Sequence, residues 1–268
     1  MRISVFTNER QLARSLALRM AARLRQMPRL VLGLATGRTP LPLYEELAAL
    51  HAAGQTDYRQ ATTFNLDEFV GLEADHPGSY RSYMREHLFR HVNLPARRVH
   101  FLDGQASELD AECERFESAI LRAGGIDLQI LGIGGNGHIG FNEPAPTLSP
   151  WSHRVRLTRA SRLANAGFFG GTLANVPREA LSMGVATILR ARSIVLIATG
   201  PRKAGVIARM AAGPVTTRLP ASLLQLHSDV EVWLDAPAAE RLRALGLVGP
   251  SSRTGRVHEV RRRIDRTP

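Results

Sequence analysis

The segment Gly132-Ile133-Gly134-Gly135-Asn136-Gly137-His138-Ile139-Gly140-Phe141-Asn142-Glu143-Pro144 holds the densest set of chemically capable side chains in the chain. Five of the nine residues from 132 to 140 are glycine, so the backbone there must turn sharply or admit a ligand closely. Asn136, His138 and Glu143 share the loop. An imidazole titrates near neutral pH and passes protons when a neighbour fixes its tautomer, a task open to either Glu143 or Asn136. One His and one Glu are too few ligands for a metal site. A dinucleotide-binding glycine fingerprint also fits poorly, because the loop does not open into a helix and no acid ends a strand about 20 residues further on.

Three other segments carry candidates. Asp67 and Glu68 follow the strand-like run Thr62–Leu66, where adjacent acids suit a proton-transfer base or a helix cap. Thr36-Gly37-Arg38-Thr39-Pro40 follows the apolar Leu32–Leu34. Its glycine allows a tight turn, Thr39 is placed to cap a helix with Pro40 at its first position, and Arg38 adds a cation where free N–H groups attract phosphate. Gly200-Pro201-Arg202-Lys203-Ala204 follows the apolar Val195–Ala198, and Lys203 is the only lysine among 35 basic residues. Two cations in a first helical turn oppose the helix dipole, a cost that a bound anion offsets.

These segments need a scaffold that brings them to one edge. Strand-like runs are predicted at Ile3–Phe6, Arg29–Leu34, Thr62–Leu66, Val99–Phe101, Leu128–Ile133, Ser193–Ala198 and Val230–Leu234. Helical patterns fall between them at Gln11–Arg25, Leu41–Ala53, Ser79–Arg90, Glu108–Ala123, Arg178–Arg190 and Arg202–Ala212, with Pro177 and Pro201 at sites that a first helical turn tolerates. Several of the strand runs are almost wholly apolar, the mark of strands covered on both faces. The alternation predicts a single-domain α/β fold with a doubly wound, mostly parallel sheet. Ligands bind such sheets beyond the carboxyl ends of the strands, which is where all four segments fall. The Ser-, Arg- and Gly-rich stretch after Pro144 breaks the alternation and is expected to be a lid or a surface insertion, spanning about residues 145–182.

Composition narrows the class. Of the 268 residues, 44% are hydrophobic, enough for a sizeable core. No apolar run approaches the ~18 residues of a membrane span, and the N-terminal run is too short for a secretory signal. Cys113 is the only cysteine, which excludes an internal disulfide and suits a reducing cytoplasm. The formal charge of +11 would fit a nucleic-acid binder. The arginines are dispersed, however, and aromatic residues make up only 6%, so an anionic small-molecule substrate is the expected partner. Residues 1–250 are expected to form the domain, and 251–268 a solvated basic tail.

In order and spacing, Thr36–Pro40, Asn65–Leu72, His76–Tyr80, Gly134–Pro144, Gly200–Ala204 and Ser222–His227 resemble the glucosamine-6-phosphate deaminase (isomerase) family from about residue 28 to about 235. The 6-phosphogluconolactonases share its fold. The resemblance implies an amino-sugar phosphate as substrate, with no organic cofactor and no metal. It implies Asp67 as the base of enolisation and His138 as the ring-opening proton carrier supported by Asn136 and Glu143. Thr36, Gly37, Arg38, Thr39 and Lys203 would hold the phosphate, in an assembly of three or six copies. Other readings on the same fold are a different amino sugar or a non-catalytic sugar-phosphate sensor. The chain departs from the family pattern at three places. Asn136 stands where the best-known members have Asp. Gly167 stands where the family has a phosphate-binding Arg, a loss of ~1.5–3 kcal/mol that Arg38, Arg159 or Arg162 is placed to recover. Pro146, His153 and Val155 do not match the allosteric set of the regulated members, so no activation by N-acetylglucosamine 6-phosphate is expected.

Overall fold

The computed structural model describes residues 1–252 and 256–259. The main sheet contains β1 (Arg2–Phe6), β2 (Val31–Leu34), β3 (Thr62–Asn65), β5 (Val99–His100), β6 (Leu128–Leu131), β9 (Ile194–Ala198), β10 (Val230–Asp235) and β11 (Arg256–Glu259). Their order is β11-β1-β10-β9-β6-β2-β3-β5. All neighbours pair in parallel except β11, which runs antiparallel to β1. A smaller antiparallel sheet has the order β4-β8-β7, built from β4 (Asp67–Phe69), β7 (His153–Arg156) and β8 (Glu179–Ser182).

The apolar strands are covered on both faces, and successive residues serve opposite cores. In β9, Val195 and Ile197 join one core, while Ile194, Leu196 and Ala198 join the other. On the first face, α1 (Glu9–Gln26) buries Leu12, Leu16, Met20 and Leu24 beside Leu43 and Leu47 of α2 (Leu41–Ala52). On the second, α4 (Leu109–Arg122) supplies Phe116 and Ile120, and α7 (Ala204–Ala212) supplies Val206, Ile207 and Met210. This two-sided burial is the expected doubly wound arrangement. Among the described residues no helix is long and apolar enough to cross a membrane.

Three expectations require correction. The stretch Arg178–Arg190, read as one helix beginning near Pro177, forms β8 followed by the short α6 (Val185–Leu189). Its residues are good helix formers, but β8 is held between β4 and β7, and Gly184 lies so close to the backbone that an added Cβ would sit 2.2 Å from the Trp151 carbonyl oxygen. Thr39 does not cap α2. Pro40 takes the N-cap position in helical conformation, no side chain caps the helix, and Pro42 removes one first-turn donor. Within the expected basic tail, residues 256–259 form β11, whose backbone pairs with the otherwise open edge of β1. Residues 253–255 and 260–268 of that tail lie outside the described residues.

Candidate active site

Beyond the carboxyl ends of β2, β3, β6 and β9 lies a cavity of about 230 Å³. Its lining includes Thr36, Gly37, Arg38, Thr39, Asp67, Tyr80, Gly134, His138, Asn165 and Lys203. The parallel sheet thus brings together seven of the nine residues expected from sequence; the other two, Asn136 and Glu143, do not line the cavity and lie beside His138.

The loop after β6 is shaped by its glycines. The Gly134 N–H donates to the His138 carbonyl at 3.0 Å, and Gly137 (φ 95°) donates to the Gly134 carbonyl at 3.0 Å. A Cβ on Gly134 would lie 2.3 Å from Cε1 of His138, so the imidazole occupies the space that glycine leaves. The Ala221 N–H, from the matched segment's neighbourhood, donates to the Gly137 carbonyl at 2.9 Å and holds the loop from outside. Nδ1 of His138 lies 3.6 Å from Oε2 of Glu143. The same oxygen accepts from Nδ2 of Asn136 at 2.6 Å, and Oδ1 of Asn136 accepts from the His138 backbone N–H at 3.2 Å. Glu143 also accepts from the Ser161 and Thr158 hydroxyls, both through Oε1. Burial works to raise the Glu143 carboxyl, but the nearby His138 ring and hydrogen bonds from Ser161 and Asn136 outweigh it and hold the pKa at about 2. Glu143 is therefore a fixed anion next to the imidazole.

The paired acids take different roles. Asp67 is 7% exposed and lines the cavity. Burial, with a smaller contribution from the neighbouring Glu68 charge, lifts its pKa to about 8. Glu68 faces away. Its carboxylate accepts from the backbone N–H groups of Phe69, Tyr80 and Arg81, each at 2.9 Å, and so caps the start of α3 (Tyr80–His87). The cap allowed by sequence is thus Glu68, and Asp67 is the acid that faces the cavity. Glu68→Ala is expected to leave buried donors unmatched and to cost about 2–4 kcal/mol of stability, read as a lower urea midpoint at unchanged slope.

The turn after β2 is pinned by two phenols: Tyr44 donates to the Ala35 carbonyl, and Tyr83 donates to the Gly37 carbonyl at 2.6 Å. Gly37 sits at φ 105°, a conformation that a side chain would strain. Nη2 of Arg38 reaches over Gly167, 3.3 Å from where a Cβ on that residue would be. Among the described residues its guanidinium has no ion-pair partner. Of the other cations considered, Arg162 is committed to the Leu173 and Val176 carbonyls at 2.7–3.1 Å, and Arg159 does not line the cavity. Lys203 follows β9, and its Nζ donates to the Ile133 carbonyl at 2.6 Å, leaving two ammonium donors for a ligand. Burial, then the Arg202 charge, lowers its pKa.

Tyr80 and Asn165 have no role assigned by the sequence, yet both line the cavity. The Tyr80 hydroxyl donates to Oδ1 of Asn165 at 3.0 Å and is also hydrogen-bonded by Thr36. Asn165 ends α5 (Arg159–Asn165), within the stretch that breaks the strand-helix alternation. Among the described residues no three His, Cys, Asp or Glu side chains are grouped to hold a metal ion.

Comparison with known proteins gives the chain its family. A family model described as glucosamine-6-phosphate isomerases/6-phosphogluconolactonase matches residues 7–233. The chain is 48% identical over 242 residues to a glucosamine-6-phosphate deaminase of Halothermothrix orenii, covering 90% of this chain and 100% of that one. It is 50% identical over 215 residues to glucosamine-6-phosphate deaminase 2 of Bacillus subtilis, covering 80% and 86%. The solved structure of a monomeric glucosamine-6-phosphate deaminase superposes with a TM-score of 0.87 at 39% identity, covering 90% of this chain and all of the other. A 6-phosphogluconolactonase from Trypanosoma brucei, at 21% identity and a TM-score of 0.68, shares the fold. With a family model spanning most of its length and close relatives matched almost end to end, the chain belongs to the glucosamine-6-phosphate isomerase/6-phosphogluconolactonase family.

Proposed function

We propose that the protein converts glucosamine 6-phosphate and water to fructose 6-phosphate and ammonia. The observation that carries this reading is the meeting of a carboxyl, an imidazole and an ammonium (Asp67, His138 and Lys203) in one cavity. The named activities of the relatives at 48% and 50% identity support the choice of substrate.

The chemistry requires two proton relays. The closed sugar opens when a proton leaves the anomeric hydroxyl and another reaches the ring oxygen. His138, held next to the Glu143 anion, is the shuttle. Asp67 in its carboxylate form then removes the C2 proton to give an enolamine. Protonation at C1 gives the ketose imine, and water releases ammonia. A buried carboxyl with a pKa near neutrality suits a base of this kind, because the same burial that raises the pKa strengthens its pull on the proton. The phosphate is the remote handle, held by the Thr36–Thr39 turn, Lys203 and Arg38, and its binding energy sets C1 and C2 against the two proton-transfer groups. The stretch 145–182 is the lid, carrying Ala164 and Asn165 into the cavity wall. A site lined by Asp67, His138 and Lys203 of one chain suits the monomeric state named for the solved relative.

Ammonia release measured with glucosamine 6-phosphate, galactosamine 6-phosphate and unphosphorylated glucosamine tests the reading. Turnover of the first far above the others is the expected result, and equal rates with and without phosphate would overturn it. Arg38→Ala is expected to raise KM for the phosphorylated substrate about 10- to 100-fold with little change in kcat, the size of one charge-assisted contact. Its activity on unphosphorylated glucosamine should not change.

A further inference from the structure

We propose that Ser161 and Thr158 of α5 are positioning residues that transmit the seating of the lid to the His138 imidazole through Glu143. The inference rests on the reading of His138 as the proton shuttle given above.

Glu143 is a two-sided connector. Its Oε2 faces the catalytic loop, accepting from Asn136 at 2.6 Å and lying 3.6 Å from Nδ1 of His138. Its Oε1 faces the lid and takes the Ser161 hydroxyl together with the Thr158 hydroxyl, the latter at 3.2 Å. Ser161 is 2% exposed, so water does not compete for its bond to the carboxylate. Thr158 is locked in turn, because its hydroxyl oxygen accepts the Ser161 backbone N–H at 3.1 Å as the cap of α5. That bond orients the hydroxyl so that its own proton points to Glu143.

The other end of α5 reaches the substrate cavity. Asn165 lines it, accepts from Tyr80 at 3.0 Å, and donates from Nδ2 to the Ser161 carbonyl at 2.9 Å. A helix of this length spans about 10 Å. One rigid two-turn piece therefore touches the sugar pocket at its end and the histidine's partner at its start. When α5 is seated, both carboxylate oxygens of Glu143 are held and Nδ1 of His138 has a fixed neighbour. When α5 lifts, Oε1 loses both lid donors and the carboxylate is free to rotate about its terminal bond. The imidazole then loses the fixed anion that faces its Nδ1 at 3.6 Å and favours its charged form. Closing the lid over a substrate and readying the shuttle become one event.

The test compares the full-length wild type with Ser161→Ala, Ser161→Thr and Ser161→Cys in the ammonia-release assay. Ser161→Ala should lower kcat about 10- to 100-fold while KM stays within about twofold, the effect of removing one hydrogen bond to a charged group. Ser161→Thr should restore at least half of kcat. Ser161→Cys, nearly isosteric but a weak donor, should behave like the alanine variant, and it stands in for that variant if Ser161→Ala does not fold. A kcat equal to wild type in the alanine or cysteine variant overturns the proposal, as does a rise in KM at unchanged kcat. A wild type that releases no ammonia would instead defeat the underlying functional reading, so the two failures are distinguishable.

Discussion

Replacing Asp67 by asparagine is expected to lower kcat by on the order of 10²–10⁴, the usual contribution of a positioned proton-transfer base. KM should move little, because the phosphate handle is held by other residues. The pH profiles carry a second signature. With a pKa of about 8, Asp67 is mostly protonated in the free protein at neutral pH. The wild-type kcat/KM should therefore climb close to tenfold per pH unit below pH 8 and level off above it, and Asp67→Asn should lose that limb. Stability runs the other way. The folded pKa lies above the ordinary carboxyl value of 3.8, so between pH 4 and 8 the folded state holds a proton that the unfolded state has released. Stability from this group is complete below about pH 4 and is lost as pH rises through 8. Asp67→Asn removes that loss, so the variant should melt above wild type at pH 8 or higher. A variant that keeps most of its kcat would remove Asp67 from the chemistry.

Gly134→Ala is expected to be nearly as damaging although it removes no functional group. The new methyl would lie 2.3–2.4 Å from three atoms of the His138 ring, so either the ring or the loop must shift by about 1 Å. A displacement of that size is expected to cost on the order of 10² in kcat and, as overpacking, about 1–3 kcal/mol of stability. Gly135→Ala is the matched control. A Cβ there meets nothing within 4 Å and the residue does not sit at positive φ, so a near wild-type melting temperature is expected, while its kcat reads only the effect of a methyl in the cavity wall. A wild-type kcat in Gly134→Ala would show that His138 tolerates displacement and does not carry the proton.

Much of this was legible before any coordinates. Runs such as Val195–Ala198 are apolar at every position, and only a strand covered on both faces has use for that pattern. Once the sheet is parallel, the segments after its strands must meet at one edge. Asp67, His138, Lys203 and the Thr36–Thr39 turn were found in that way. The small sheet was not legible. β4 is three residues long, β7 alternates arginine with half-buried residues, and β8 lies in a helix-forming stretch where pairing with two neighbours overrides propensity. The choice between Asp67 and Glu68 also needed the fold, because it depends on where α3 begins. Tyr80, Asn165 and Ser161 carry no local signal beyond ordinary polarity. They reach the site through packing between distant segments, and Thr-x-x-Ser at 158–161 reads simply as a helix start.

The placement of β1 has a consequence for how the molecule is made. Arg2 is aligned with Glu231 of β10 on one side and with Glu259 of β11 on the other. Both partners are synthesised more than two hundred residues later. At roughly 5–20 residues per second this leaves Ile3, Val5 and Phe6 without their final cover for on the order of tens of seconds. β2, β3 and β6 can meanwhile assemble from neighbours already present. The strand made before every other described one is thus the last to find its place, and during translation its apolar side chains must be sheltered by α1 or by chaperones.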